Sequence, residues 1–441
     1  MSYSGYITQI KEVKKHPNAD RLNIGNCFGN QVIVDLKTKS EDIGIYFPSD
    51  GQLSEKYCEV NNLVRKKDIN GNEIGGYLDP NKRNIRAIKL RGEISDGLFM
   101  PLESLDSFID ISKLKVGDLI DTINGVEICT KYIPVVIKSS KPTHKQIHKG
   151  KKKLLKESFP MFHEHIDTKQ LMYNLNYFKE GMICYITLKM HGTSGRTSHT
   201  NKVIKKEKTG LIKLFNKLFK LKTNKISTKW QYITGTRRVI LEDMQGSGGY
   251  YEDTSLRPKY HKEFVGKLKK GETVFYEIVG FENSGKPIMG TVSNKKTRDK
   301  DFIKKYGEST TFSYGYEVGE NDMYVYRMTM DNEDGDSIDY PWDLVKIRCE
   351  QMGVKHVLEL DRFVYTTEED LLARVNTYVD GVDPVDKTHI REGVVVRVEG
   401  QDSFKALKHK NFFFKFIEGI IKDDGFLDME ERASIIEKEG E

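Results

Sequence analysis

The chain has 441 residues, with 71 Lys and Arg against 65 Asp and Glu for a formal net charge of +6, and that length can bury one large core or two smaller ones. Its five cysteines (Cys27, Cys58, Cys129, Cys184 and Cys349) show no C-x-x-C spacing, which argues against a zinc site or a disulfide framework and suits a reducing compartment. The opening MSYSGYITQI lacks the apolar core of a signal peptide and no run is long enough to span a bilayer, so a soluble, intracellular protein with no membrane partner is expected.

Residues 1–137 read as short strands broken by turns. Tyr6 to Val13, Arg21 to Cys27, Gln31 to Leu36 and Ile43 to Phe47 are rich in β-prone residues, and Gly29-Asn30 and Ser49-Asp50-Gly51 supply turn chemistry. Asn84 to Leu90 and Gly97 to Met100 continue the pattern. Short strands at this spacing point to a small barrel, a five-stranded OB-fold being one candidate.

From Lys138 to Trp230 the chain carries 22 Lys and Arg against five Asp and Glu, and such a block marks a polyanionic partner better than the net charge does. Its first part, 138–160, reads as an exposed basic linker. Within 201–229, read as a basic insertion, Leu211, Leu214, Phe215, Leu218 and Phe219 fall on one helical face; such a stripe most often packs on its own domain, the alternatives being a membrane or a partner surface. Strands are expected at Met182 to Lys189, Trp230 to Leu241, Val274 to Phe281, Met323 to Met330 and Gly393 to Val398, and helices at Asp343 to Gln351 and Glu368 to Tyr378. The whole reads as α+β: a barrel over 1–137, the linker over 138–160 and a larger mixed domain over 161–441.

In TLKMHGTSGR, Thr187 to Arg196, a strand ends on a lysine and a turn of small residues follows. An amine then stands at the edge of a pocket, and a glycine lets a ligand approach the backbone. A lysine attacks only when neutral, and an ordinary pKa of about 10.4 leaves few neutral molecules at pH 7. Nearby cations and partial burial depress that value, so an activated Lys189 predicts other cations close in space. Downstream, VFYEIVG (Val274 to Gly280) is an apolar strand carrying one carboxylate, Glu277. YVYRM (Tyr324 to Met328) sets Tyr324 and Tyr326 on one strand face, where a ring could stack on a base. REGVVVRV puts Glu392 ahead of a buried-looking strand, and in FKALKHKNFFFKF Lys408 and Lys410 share a face by period-two geometry. Singly, each is ordinary strand decoration; their order is what makes a pattern.

That order resembles the covalent nucleotidyltransferase superfamily of ATP-dependent ligases and mRNA capping enzymes. On this resemblance Lys189 is the motif I nucleophile, preceded by Thr187 and Leu188, with His191 and Gly192 in the K-x-(D/H/N)-G positions. His191 stands where many ligases carry Asp. Glu277 matches the motif III glutamate, Tyr326 the aromatic that sandwiches the nucleobase, Glu392 the motif IV acid, and Lys408 and Lys410 the motif V pair. TGTRR (Thr234 to Arg238) is similar to motif Ia, whose phosphate-contacting arginine is matched by Arg237 in preference to the alternative Arg238, and Arg196 lies where these ligases often carry another such arginine. FHEHIDTKQL (Phe162 to Leu171) and LKHKNFFFK are similar to RNA ligases with an OB module ahead of the catalytic domain. HPNADRL (His16 to Leu22) and IKLRGEISDGLF (Ile88 to Phe99) look like the OB folds that bind tRNA in synthetase-associated proteins.

The resemblance implies an N-terminal OB-type β-barrel followed by a ligase-type nucleotidyltransferase domain of antiparallel sheets with flanking helices. It implies an ATP-dependent RNA ligase, monomeric, joining RNA 3′-hydroxyl and 5′-phosphate ends through lysyl-AMP and RNA-adenylate in RNA repair, with ATP and Mg2+ or Mn2+ as cofactors and Glu277 and Glu392 as the metal carboxylates. Capping guanylyltransferases and DNA ligases share the lysine chemistry. A non-catalytic OB-fold RNA-binding protein is a reading of another class, and it leaves the Lys189, Glu277, Glu392, Lys408 and Lys410 set unexplained.

Overall fold

The computed structural model describes residues 3–67, 69–71, 73–134, 156–205, 226–241, 256–332, 334–400 and 404–423. Most of the expected basic linker and the Leu211 to Leu221 stripe lie outside them.

Two sheets make up the larger part of the molecule. The first has five strands, in the order Lys169–Gln170, Lys405–Lys410, Gly393–Val398, Ile183–Lys189 and Glu359–Val364. In the second, Ile240–Leu241, Ile226–Gly235, Thr193–Lys205, Glu272–Gly280, Asn321–Asp331 and Ser337–Asp339 follow one another, and Lys355–His356 pairs in parallel with Asn321–Asp331. The central strands form where the apolar runs predict them. Cys184, Ile186 and Leu188 in the first sheet and Val274, Ile278 and Val279 in the second are fully buried, each large aliphatic side chain stabilising by roughly 1.5–3 kcal/mol.

The helices Trp342–Met352 and Glu368–Val379 also appear as expected. The second opens on Thr367, whose side chain accepts from the Asp370 N–H, and carries Glu368, Glu369 and Asp370 in its first turn, where acidic groups suit the helix dipole. Its Leu371, Val375 and Val379 pack with Val394, Val396 and Leu407 of the five-stranded sheet.

Residues 3–134 fold as several small sheets. Leu98–Pro101, Ile43–Phe47, Gly5–Gln9 and Leu119–Ile120 form one, and Lys11–Lys15, Leu22–Cys27 and Asn30–Asp35 another. The single strand expected from Tyr6 to Val13 is interrupted at Ile10, and Glu12 adopts a positive φ of 53°. Among the described residues these sheets do not close into one barrel. The fold as a whole is α+β.

The segment after Lys410 is a helix, Phe412–Asp423, although FFFKF reads as β-prone. Asn411 Oδ1 accepts from the Phe413 N–H at 2.8 Å and from that of Phe414 at 3.4 Å, the N-cap arrangement that diverts the chain from the strand. Phe414 and Ile417 enter the main core. A neighbouring face pairs with residues 3–134: Lys415 with Asp96, and Lys422 Nζ with Asp50 Oδ1 at 2.5 Å. This helix binds the two parts of the molecule together.

Candidate active site

Lys189 is the last residue of its strand. It pairs with Gly393, which pairs in turn with Lys410, while Thr187 pairs with Val395 and Val395 with Lys408. In-register strand neighbours project to the same face, so Lys189, Lys408 and Lys410 stand side by side. Gly393 sits at φ 147°, and a Cβ there would lie 2.2 Å from the His409 carbonyl oxygen. No side chain therefore separates the lysines on either side of it.

The Glu392 carboxylate occupies this place instead. Its Oε1 is 2.8 Å from Lys189 Nζ and 3.5 Å from Lys410 Nζ. Burial alone would raise the Glu392 carboxyl, yet the two ammonium groups hold it below the ordinary glutamate value. Lys410 also meets both oxygens of Glu418, at 3.0 and 2.9 Å. Lys408 has the opposite surroundings: burial, then the charges of Lys410, Lys189, Arg237 and Lys131, push it down to about 7. Lys189, Lys408 and Lys410 thus form a cluster of cations with a buried carboxylate in its midst.

The strand Glu272–Gly280 supplies the facing wall. A Cβ on Gly192 would lie 2.2 Å from the Ile278 carbonyl oxygen and 3.0 Å from Glu277 Cγ; only glycine lets the turn after Lys189 lie this close. The His191 N–H donates to the Tyr314 hydroxyl at 2.6 Å. Its ring meets Phe312 and Phe414 edge-on at 4.7 and 4.8 Å, and Nδ1 lies 4.0 Å from Glu392 Oε2. Burial pushes this imidazole down to about 4, so it is neutral at pH 7.

Tyr324 and Tyr326 do not share a face, contrary to the alternation of their strand. Phe275 pairs with Arg327 but Tyr276 pairs with Val325, so Tyr326 is the extra residue of a bulge, and a bulge reverses the alternation beyond it. Tyr326 lines the cleft with Glu277, whereas Tyr324 lines a separate recess with Lys346 and Lys355.

The cleft has a volume of about 870 Å³, and Thr187, Leu188, Lys189, His191, Gly192, Arg237, Glu277, Tyr326, Glu392, Lys408 and Lys410 all line it. Arg237 reaches it while holding Asp167 at 2.6 Å; Arg238 binds the same carboxylate at 3.2 Å but does not line the cleft. Arg196 departs from its expected role. Only 1% exposed, it donates to the carbonyls of Thr236, Phe162 and His163 and stacks on the Phe162 ring at 4.2 Å. It holds chain segments together and does not line the cleft.

The sequence reading missed three groups of lining residues: His165, Asp167 and Lys169 ahead of the first sheet, Lys415, Glu418 and Lys422 on the helix Phe412–Asp423, and Tyr3, Asp50 and Lys131 from residues 3–134. The His165 ring lies against Tyr326 at 5.1 Å and Phe275 at 5.5 Å, and burial followed by the Arg237 charge holds it well below the usual histidine value.

The sequence matches no protein-family model and no curated relative. The structure does match solved ones. A mutant of Naegleria gruberi RNA ligase with ATP and Mn is similar at TM-score 0.53 and 15% identity, covering 93% of this chain and 98% of that chain. Another mutant of that ligase, with AMP and Mn, gives 0.54 at 16% identity over 93% and 97%. The same ligase with PPi gives 0.52 at 17% identity over 96% and 98%. The fold is that of an RNA ligase. On it, Gln170 pairs in parallel with Lys408, which brings His165, Asp167 and Lys169 to the cleft. The signal for them was FHEHIDTKQL, whose polar residues cluster just ahead of the lysine strand.

Proposed function

We propose that this protein is an ATP-dependent RNA ligase that takes up AMP covalently on Lys189. The observation that carries the reading is the contact of Lys189, Glu392 and Lys410 within a cleft of about 870 Å³, a size suited to a nucleotide. Support comes from a fold shared with an RNA ligase solved with ATP, AMP and PPi.

In this reading the purine lies against Tyr326 and the α-phosphorus faces Lys189 Nζ. A nitrogen–phosphorus bond forms, the bond to pyrophosphate breaks, and the Lys189 proton leaves with Glu392 at 2.8 Å in contact with it. AMP then passes to a 5′-phosphate on RNA, and a 3′-hydroxyl displaces it as the strand is sealed. Lys408, Lys410 and Arg237 offset the charge on the phosphoryl oxygens.

The residues present also fit a divalent cation. Glu392 Oε2 is buried with no hydrogen-bond partner, and Glu277 lines the same cleft. Among the described residues no set of three His, Cys, Asp or Glu side chains could hold a metal, so phosphate and water oxygens would complete the shell, as Mg2+ and Mn2+ prefer. Such an ion would add positive charge at the transferring phosphoryl group.

Residues 1–137 then act as an OB-type module that holds RNA, 138–160 as a basic tether and 161–441 as the adenylyltransferase, with the enzyme working as a monomer inside the cell. Lys-rich contacts to phosphate give salt-dependent, sequence-tolerant binding, which suits repair of broken strands. The test is intact mass after incubation with ATP and Mn2+, then sealing of nicked RNA. A gain of one AMP, mapped to Lys189 and missing in Lys189→Ala, is expected. An adduct that persists in Lys189→Ala, or one formed with GTP instead of ATP, would overturn the reading.

A further inference from the structure

The charges around Lys189 continue beyond the cleft wall. Glu392 lies 2.8 Å from Lys189 and 3.5 Å from Lys410; Lys410 lies 2.9 Å from Glu418; Glu418 lies 4.0 Å from Lys422; Lys422 lies 2.5 Å from Asp50; and Asp50 lies 3.8 Å from Lys131. This is an unbroken string of alternating charge from the proposed nucleophile into residues 3–134. Its centre is Glu418, on the helix Phe412–Asp423. That helix is fixed in rotation by the Asn411 cap and by Phe414 and Ile417 in the core, so the carboxylate is aimed rather than free to wander.

We propose that Glu418 is a positioning residue for adenylate transfer: gripping Lys410 with both oxygens, it sets that ammonium beside Glu392 where the nucleotide's phosphoryl oxygens must lie. This rests on the ligase reading. A lysine on a flexible stem is a mobile point charge, and fixing it beforehand is what gives electrostatic stabilisation its effect. Through Lys422 and Asp50 the same carboxylate ties the geometry of the cleft to residues 3–134.

The experiment measures self-adenylylation of the full chain with Mn2+ against ATP concentration, for wild type, Glu418→Gln and Glu418→Asp, with melting temperatures as the folding control. In Glu418→Gln the rate at saturating ATP should fall about tenfold, while the half-saturating ATP concentration changes by less than about threefold, because a positioned charge acts on the transferring phosphoryl group. Glu418→Asp, which keeps the charge, should lie between. A wild-type saturating rate in folded Glu418→Gln would overturn the proposal. Should that variant not fold, Glu418→Asp decides: the shorter carboxylate cannot hold Lys410 in the same place, and a wild-type saturating rate would overturn the proposal. A wild-type chain that forms no adduct refutes the ligase reading itself; an adduct formed by Glu418→Gln at the wild-type rate refutes only the positioning role.

Discussion

Lys189 and Lys410 lie in register on either side of Gly393, and a single oxygen of Glu392 meets both ammonium groups. The carboxylate is only 2% exposed. Removing one partner of a buried charge set leaves the others uncompensated, at about 3 kcal/mol or more. Glu392→Gln should therefore lower stability by roughly that amount in urea denaturation and also abolish adduct formation. Full stability in this variant would show that the two lysines find other partners.

Lys408 gives a pH signature. Its native pKa of about 7 lies below the ordinary 10.5, so from about pH 7 to 10.5 the unfolded chain binds more protons than the native one. Stability rises with pH through that window, and the penalty is complete below it. Lys408→Met should flatten the curve and gain most, relative to wild type, at or below pH 7. The triphosphate favours charged Lys408, so ATP binding at pH 8 should take up protons, seen by calorimetry in buffers of different ionisation enthalpy. Absence of uptake would exclude Lys408 as the phosphate contact.

Arg196 and Arg237 should separate cleanly. Arg196→Ala leaves the Phe162, His163 and Thr236 carbonyls unmet, at a cost of about 2–4 kcal/mol, while adenylylation by the folded fraction survives at low temperature. Arg237→Ala should do the reverse: a loss of about tenfold or more in rate, with a smaller change in the urea midpoint. Rate constants and denaturation midpoints for the pair decide it.

Gly192→Ala is the sharpest test of the turn. The new methyl would meet the Ile278 carbonyl oxygen at 2.2 Å, and Ile278 is fully buried in a strand paired on both sides, with little room to give. Adduct formation should disappear together with a drop in melting temperature. An active, fully stable variant would mean that the turn sits further from the strand.

The lysine strand, its partners and the polar residues they carry into the cleft were legible because buried strands read as apolar runs interrupted by a few polar groups. What stayed hidden follows from three physical causes. Lys169–Gln170 is too short and polar to show any periodicity, so the residues it brings to the cleft went unnoticed. In the helix Phe412–Asp423, β-prone aromatics conceal a helix started by Asn411, and Glu418 and Lys422 one turn apart look like a solvated surface pair. The bulge at Tyr326 depends on pairing between strands far apart in sequence, and no local pattern encodes it. Arg196 was misread for a related reason: a cation near a nucleophile looks like a phosphate ligand until its carbonyl acceptors are known.

That bulge also fixes how wide the slot is. The Tyr326 carbonyl accepts from Arg397 Nη1 at 2.8 Å, and Arg397, on the strand that leads from Gly393, donates as well to the Tyr340 carbonyl at 3.3 Å. One guanidinium thus acts as a strut between the residue whose ring is proposed to receive the purine and the strand beside Lys189. The gauge of the opening is set when the protein folds, before any guest arrives, and a flat base meets a gap that has already been measured out.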